Sequence, residues 1–155
     1  MDTKKIESTF QLIKTSIISL DIKNNFIEYD ERLNGQKSID VAYQITDKRV
    51  IDTQKLYGGS VDLHITVVSK INEQAFIIQM IYRGIFTAPL SMKQEQFNHM
   101  LLINGTTSLY TMARAVIMSI SSQMFNGGAI LLPMLNMIRF HEYTNPDSAQ
   151  EKETK

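Results

Sequence analysis

From Gln74 to Phe86 apolar residues fall on both parities of a two-residue alternation: Phe76, Ile78, Met80 and Tyr82 on one, Ile77, Ile81 and Ile85 on the other. That is the pattern of a strand covered on both faces. Farther along, Leu109, Met112, Ala113, Val116, Ile117, Ile120 and Met124 recur at spacings of three and four. They line one side of a helix of roughly five turns at about 3.6 residues per turn. A chain that places a buried strand before a long amphipathic helix has few ways to bury both, and the simplest lays the helix across the sheet. Thr106 or Thr107 is the expected N-terminal cap, and Gly127-Gly128 the end of the helix.

The rest of the chain supplies the sheet. Phe10 to Ile22 reads as a first strand, with Ile18, Leu20 and Ile22 alternating against Ser19, Asp21 and Lys23. Ile39, Val41, Tyr43 and Ile45 give a second, and Val61, Leu63, Ile65 and Val67 a third. Between these two, Thr46 to Lys55 reads as a polar linker and Gly58-Gly59 as a break. Asn72-Glu73 is the expected turn into the fourth strand. After Pro89, with Ser91 as a cap, Met92, Gln96, Phe97, Met100 and Leu101 share the face of a short helix that Asn104-Gly105 is expected to break. Strands first and helices second is the α+β order. The expectation is one domain over residues 1–144, a four-stranded antiparallel sheet with helices packed on one side, followed by a polar, disordered tail over 145–155.

Composition excludes several functions. Sixteen basic residues balance 16 acidic ones, which leaves no basic surplus for nucleic acid. The chain has no cysteine, hence no disulfide, thiolate metal site or cysteine nucleophile. His64, His99 and His141 lie in different elements without ligand spacing, so no metal is expected. Gly58-Gly59 and Gly127-Gly128 lack the Lys-Ser/Thr of a phosphate loop. No convergent polar set suggests catalysis, and neither an enzyme nor a cofactor is expected. The N-terminus does not read as a signal peptide, and no apolar run approaches the ~20 residues that cross a bilayer. A cytoplasmic protein without membrane insertion is expected.

An ordered set of residues resembles the SecB-type protein-export chaperones: Glu73, Ala75, Phe76, then Gly84-Ile85-Phe86, His99, Leu101, Leu109, Ala113-Arg114, Ile117, Pro133, Leu135 and Asn136. The likeness implies a SecB-like fold and an ATP-independent holding chaperone that binds unfolded or precursor polypeptides in apolar grooves. It also implies a dimer of dimers joined through the long helix, where Tyr110, Arg114, Ile117 and Met118 are the expected contacts, with the first strand pairing edge to edge within each dimer. Gln79 stands where the export family tends to carry a glutamate on the sheet face that docks the SecA translocase motor, and after Met137 only Ile138 to Tyr143 remains for a C-terminal helix, short or absent. A shortened C-terminus is similar to SecB-like chaperones that serve a toxin–antitoxin pair, so the partner is either export precursors with the motor or an antitoxin.

The apolar surplus fits a binding surface. Nine methionines offer side chains that repack against many partners. Phe26, Ile27, Tyr29 and Leu33 lie in the aperiodic segment Phe26 to Ser38, either a cover over the core or the crossover that lines a client groove. Ala129 to Met137 is an apolar run split by Pro133. The expected client contacts are Phe26, Ile27, Tyr29, Leu33, Val41, Tyr43, Ile130, Leu132 and Leu135. A lipocalin-like or other small-ligand module, or a scaffold whose apolar surface is buried in oligomer contacts, is the alternative from another class.

Overall fold

The computed structural model describes residues 8–25, 36–71, 74–124 and 129–144. Four strands, β1 (Gln11–Asn24), β2 (Gln36–Ile51), β3 (Leu56–Ile71) and β4 (Gln74–Pro89), form one antiparallel sheet in the order β1-β4-β3-β2. Helices α1 (Gln94–Met100), α2 (Thr106–Met124) and α3 (Met137–Thr144) follow. The expected α+β architecture, with helices on one side of the sheet, is what the chain adopts.

Alternate residues of the central strands form the floor of the core. Val61, Leu63, Ile65 and Val67 of β3 stand beside Gly84, Tyr82, Met80 and Ile78 of β4, and Phe76 and Phe86 extend the same row. The apolar members of this floor are buried under Phe97, Leu101, Leu109, Ala113 and Ile117 from the helices. The other parity of β4 does not meet the expectation of a strand covered on both faces. Ile77, Ile81 and Ile85 are half-exposed on the far face of the sheet, where no described helix packs.

The strands are longer than the alternation implies. Thr46 to Ile51, expected as linker, continues β2, with Asp47 to Ile51 opposite Ser60 to Leu56, and the linker shrinks to a single 3-10 turn at Asp52–Gln54. An edge strand tolerates charges such as Lys48 and Arg49 because one side of it faces water. Lys55 closes the turn in the left-handed region, at φ 53°. Gly58-Gly59, expected as a break, lies inside β3, and at Gly59 the helices press on the sheet. A Cβ at Gly59 would stand 2.7 Å from Leu101 Cδ2, and one at Gly84 would stand 2.9 Å from Leu109 Cδ1.

Asn104-Gly105 does not break the helix either. Leu101–Gly105 forms a π turn that joins α1 to α2 without interruption, with Gly105 buried beside Phe86. Thr106 and Thr107 are therefore not caps: their hydroxyls donate back to the Leu102 and Ile103 carbonyls, as they do inside a helix. The buried stripe of α2 is Thr106, Leu109, Tyr110, Ala113, Ile117 and Ser121, rotated from the one expected, and Met112 is left exposed. Hydrophobicity misplaced the stripe because two of its members are polar. Each is accommodated by a hydrogen bond to main chain.

Candidate functional site

Residues 129–136 run without helix or strand along α2, and their main chain is held by side chains. Ile130 N–H donates to Ser121 Oγ at 2.8 Å; Arg114 Nε donates to the Leu132 carbonyl at 2.9 Å; the Tyr110 phenol donates to the Pro133 carbonyl at 2.8 Å. From the other side Lys37 Nζ, on β2, reaches the Leu131 carbonyl at 3.2 Å. Burial alternates over the first part of this strap, where Ile130 and Leu132 are buried and Leu131 between them is exposed; farther on, Met134 is exposed although it shares the parity of the buried pair. Such period-two alternation is that of extended chain. Burial pushes the Tyr110 phenol above its ordinary value, while the charge of Arg114 draws it down.

Helix α3 follows, and Asn136 starts it: its Oδ1 accepts the Ile138 and Arg139 N–H groups at 3.1 and 3.2 Å. The expected short C-terminal helix is thus present, eight residues long. Met137 is its buried anchor. Phe140 and His141 turn toward β2: the Phe140 ring lies 6.0 Å from the Tyr43 ring, and the Tyr43 hydroxyl is hydrogen-bonded to His141 Nδ1. Between β2 and α3 opens a cleft of about 240 Å³ lined by Val41, Ala42, Tyr43, Phe140 and Thr144. A second, of about 180 Å³, lies between α2 and the strap, lined by Thr111, Arg114, Ala115, Met118, Leu131 and Leu132. Leu131, Met134 and Ile138 stand exposed along the strap and α3.

Of the expected client contacts, Val41, Tyr43 and Leu135 are half-buried. Ile130 and Leu132 are corrections. They are 0% and 2% exposed and belong to the chain's own core, with Leu131 between them turned outward. Phe26, Ile27, Tyr29 and Leu33 lie outside the described residues. Among the expected oligomer contacts, Tyr110 and Ile117 are likewise interior, at 3% and 0% exposure, and Arg114 is engaged by the strap. Met118 alone of the four is exposed on α2, with Met112 beside it in exposure. Phe140 and Ser121 were missed. Met137, Phe140, His141 and Thr144 share helical spacing after an Asn cap, and that signal was present in the sequence.

The open face of the sheet carries a different chemistry. Arg83 clasps Asp62 through two hydrogen bonds of 2.6 Å, from Nε and Nη2, across the β3–β4 pair. This hydrogen bond, and after it the carboxylate charge, raises the guanidinium above its ordinary value. Gln79 lies on the same face in a cleft of about 260 Å³ with Ser19, Asp21, His64 and Thr66. Among the described residues no three His, Asp or Glu side chains converge to hold a metal ion, and no helix is long and apolar enough to cross a membrane.

A family model described as preprotein translocase subunit SecB matches residues 4–149. The chain belongs to the SecB family. No curated protein matches it. Among solved structures the chain is similar to a SecB-like chaperone of Mycobacterium tuberculosis, solved in complex with a ChAD peptide from the HigA1 antitoxin. The TM-score is 0.56 at 9% identity, over 81% of this chain and 90% of that one. A Streptococcus agalactiae protein of unknown function aligns with a TM-score of 0.47 at 8% identity, over 80% of this chain and 96% of that one. The family match and the M. tuberculosis likeness agree with the residue-by-residue resemblance, and they support a chaperone role.

Proposed function

We propose that this SecB-family chain is an ATP-independent holding chaperone, non-enzymatic and cytoplasmic, that binds non-native polypeptide on apolar surface around β2, the strap and α3. The observation that carries this reading is the cleft between β2 and α3, lined by Val41, Tyr43 and Phe140, in a chain that also leaves Leu131, Met134 and Ile138 exposed on the strap and α3. Folded single chains rarely leave such groups in water without a partner. Val41, Tyr43 and Leu135 are the proposed contacts on the described surface, joined by Phe26, Ile27, Tyr29 and Leu33 from the segment before β2. Many weak contacts to apolar side chains give affinity without a fixed sequence.

Two features favour a dedicated partner of the antitoxin kind over export precursors delivered to the SecA motor. Gln79 on the open sheet face offers an amide where the export family tends to carry a carboxylate, and α3 is only eight residues long. The structural neighbour solved with an antitoxin peptide points the same way. Recovery of one partner at near-equal amount from the native cells supports this; recovery of many signal-bearing precursors assigns the chain to export.

Reduced, carboxymethylated α-lactalbumin, a permanently unfolded chain, is a suitable probe of holding. Val41→Ser with Leu135→Ser is expected to weaken its binding about tenfold while cooperative melting is retained. Unchanged affinity in the double variant places the groove elsewhere.

A further inference from the structure

We propose that residues 130–133 of the strap occupy in the free protein the groove that an extended apolar segment of a client takes on binding, so that the chaperone carries its own competing ligand. The proposal rests on the holding-chaperone reading above.

The case lies in what holds the strap. Ser121, Lys37, Arg114 and Tyr110, from α2 and β2, all address main-chain groups: the Ile130 N–H and the carbonyls of Leu131, Leu132 and Pro133. Every polypeptide carries such groups at the same spacing, so none of the four bonds depends on the strap's own sequence. The side chains that enter the core, Ile130 and Leu132, do so at alternate positions, and the position between them faces water. Main-chain hydrogen bonds that fix register, with pockets for every second apolar side chain, are the two parts of a site that recognises extended peptide.

A segment of ordinary core is held differently. Buried main chain is normally satisfied within helices and sheets, by its own neighbours in the ladder. The strap has no strand partner among the described residues, and its release breaks no ladder. What release exposes is a groove whose donors and acceptor are already aimed. A client segment with apolar residues two apart restores both sets of contacts, and the exchange replaces like with like. The groove then stays closed to water when no client is present, and affinity is graded by how well a client out-competes Ile130 and Leu132.

The chain has no cysteine, so a pair can be introduced without background labelling. Lys37→Cys with Leu131→Cys, joined by a short reducible bis-maleimide linker, ties the strap to β2. The linked protein is expected to bind reduced, carboxymethylated α-lactalbumin at least tenfold more weakly than the same variant with the linker cleaved. Equal binding in the two states overturns strap displacement and leaves the holding reading standing. Absence of binding in the cleaved variant and the unmodified protein alike overturns the holding reading, and the displacement with it. Hydrogen exchange at the Ile130 amide gives a second readout on the unmodified protein: protected when free, exposed when α-lactalbumin is bound. Protection that persists in the complex also rejects the proposal.

Discussion

Tyr110 shows how much one side chain does in this fold. Its ring lies in the buried stripe of α2 and its hydroxyl donates to the Pro133 carbonyl, so a single residue packs the helix and pins the strap. Burial raises its phenol above the ordinary value of 10.0. The unfolded chain therefore ionises before the folded one, and the folded state loses stability as pH climbs through and beyond that value. Below it the phenol is neutral in both states and this contribution is complete. Tyr110→Phe is expected to cost about 1 kcal/mol at neutral pH through the lost hydrogen bond, and to flatten the alkaline limb of a urea-denaturation series from pH 7 to 11. An equally steep limb in the variant assigns the alkaline loss to another group. The family resemblance implies an oligomer contact at Tyr110, and the structure packs its ring inside its own chain. The stripe turned because Thr106 and Ser121, polar by composition, bury themselves by bonding main chain.

Elements were legible where apolar residues alternate and illegible where another element decides the outcome. The strands follow from alternation, as in Ile39 to Ile45 and Val61 to Val67, and the order of strands before helices from the change to three-and-four spacing. Gly58-Gly59 and Asn104-Gly105 misled because glycine marks a turn locally and a close approach globally, and only the packing distinguishes the two. At the candidate site Val41 and Tyr43 were legible from the strand pattern, whereas the inward turn of Ile130 and Leu132 was not, since it depends on distant partners: Arg114 donates to the Leu132 carbonyl, and Ser121 Oγ accepts from the Ile130 N–H. Gly59 is where the helical layer presses hardest on β3: a Cβ there meets Leu101 Cδ2 at 2.7 Å and Phe97 Cζ at 3.2 Å, both side chains buried. Gly59→Ala is expected to destabilise the fold by about 1–3 kcal/mol, the usual cost of overfilling a packed interior. Adding Leu101→Ala to Gly59→Ala should then cost less than Leu101→Ala costs alone, as read by urea denaturation. Strict additivity of the two changes rejects this account of the glycine.

At the scale of the whole molecule, the apolar groups that the chain leaves in water argue for assembly. β1 is one edge of the sheet and exposes Ile13, Ile17, Ile18 and Leu20. Ile13 and Ile18 are the residues skipped in its register with β4, so each sits at a bulge, where an extra residue bends an edge strand. A long edge with this many apolar side chains is a template for pairing with another strand. A second copy of β1 in antiparallel register would extend the sheet across a two-fold axis, the commonest symmetry of small oligomers. Met112 and Met118 are exposed on α2, and we propose them as groups through which two such dimers would join. The two contacts predict different failures. Ile18→Lys puts a charge on the edge of both copies and is expected to yield a single-chain mass by light scattering at micromolar concentration. Met112→Lys with Met118→Lys should stop at the dimer. A wild-type protein that already has single-chain mass refutes both contacts, and an Ile18→Lys variant that stays dimeric moves the two-fold axis from β1 to another surface.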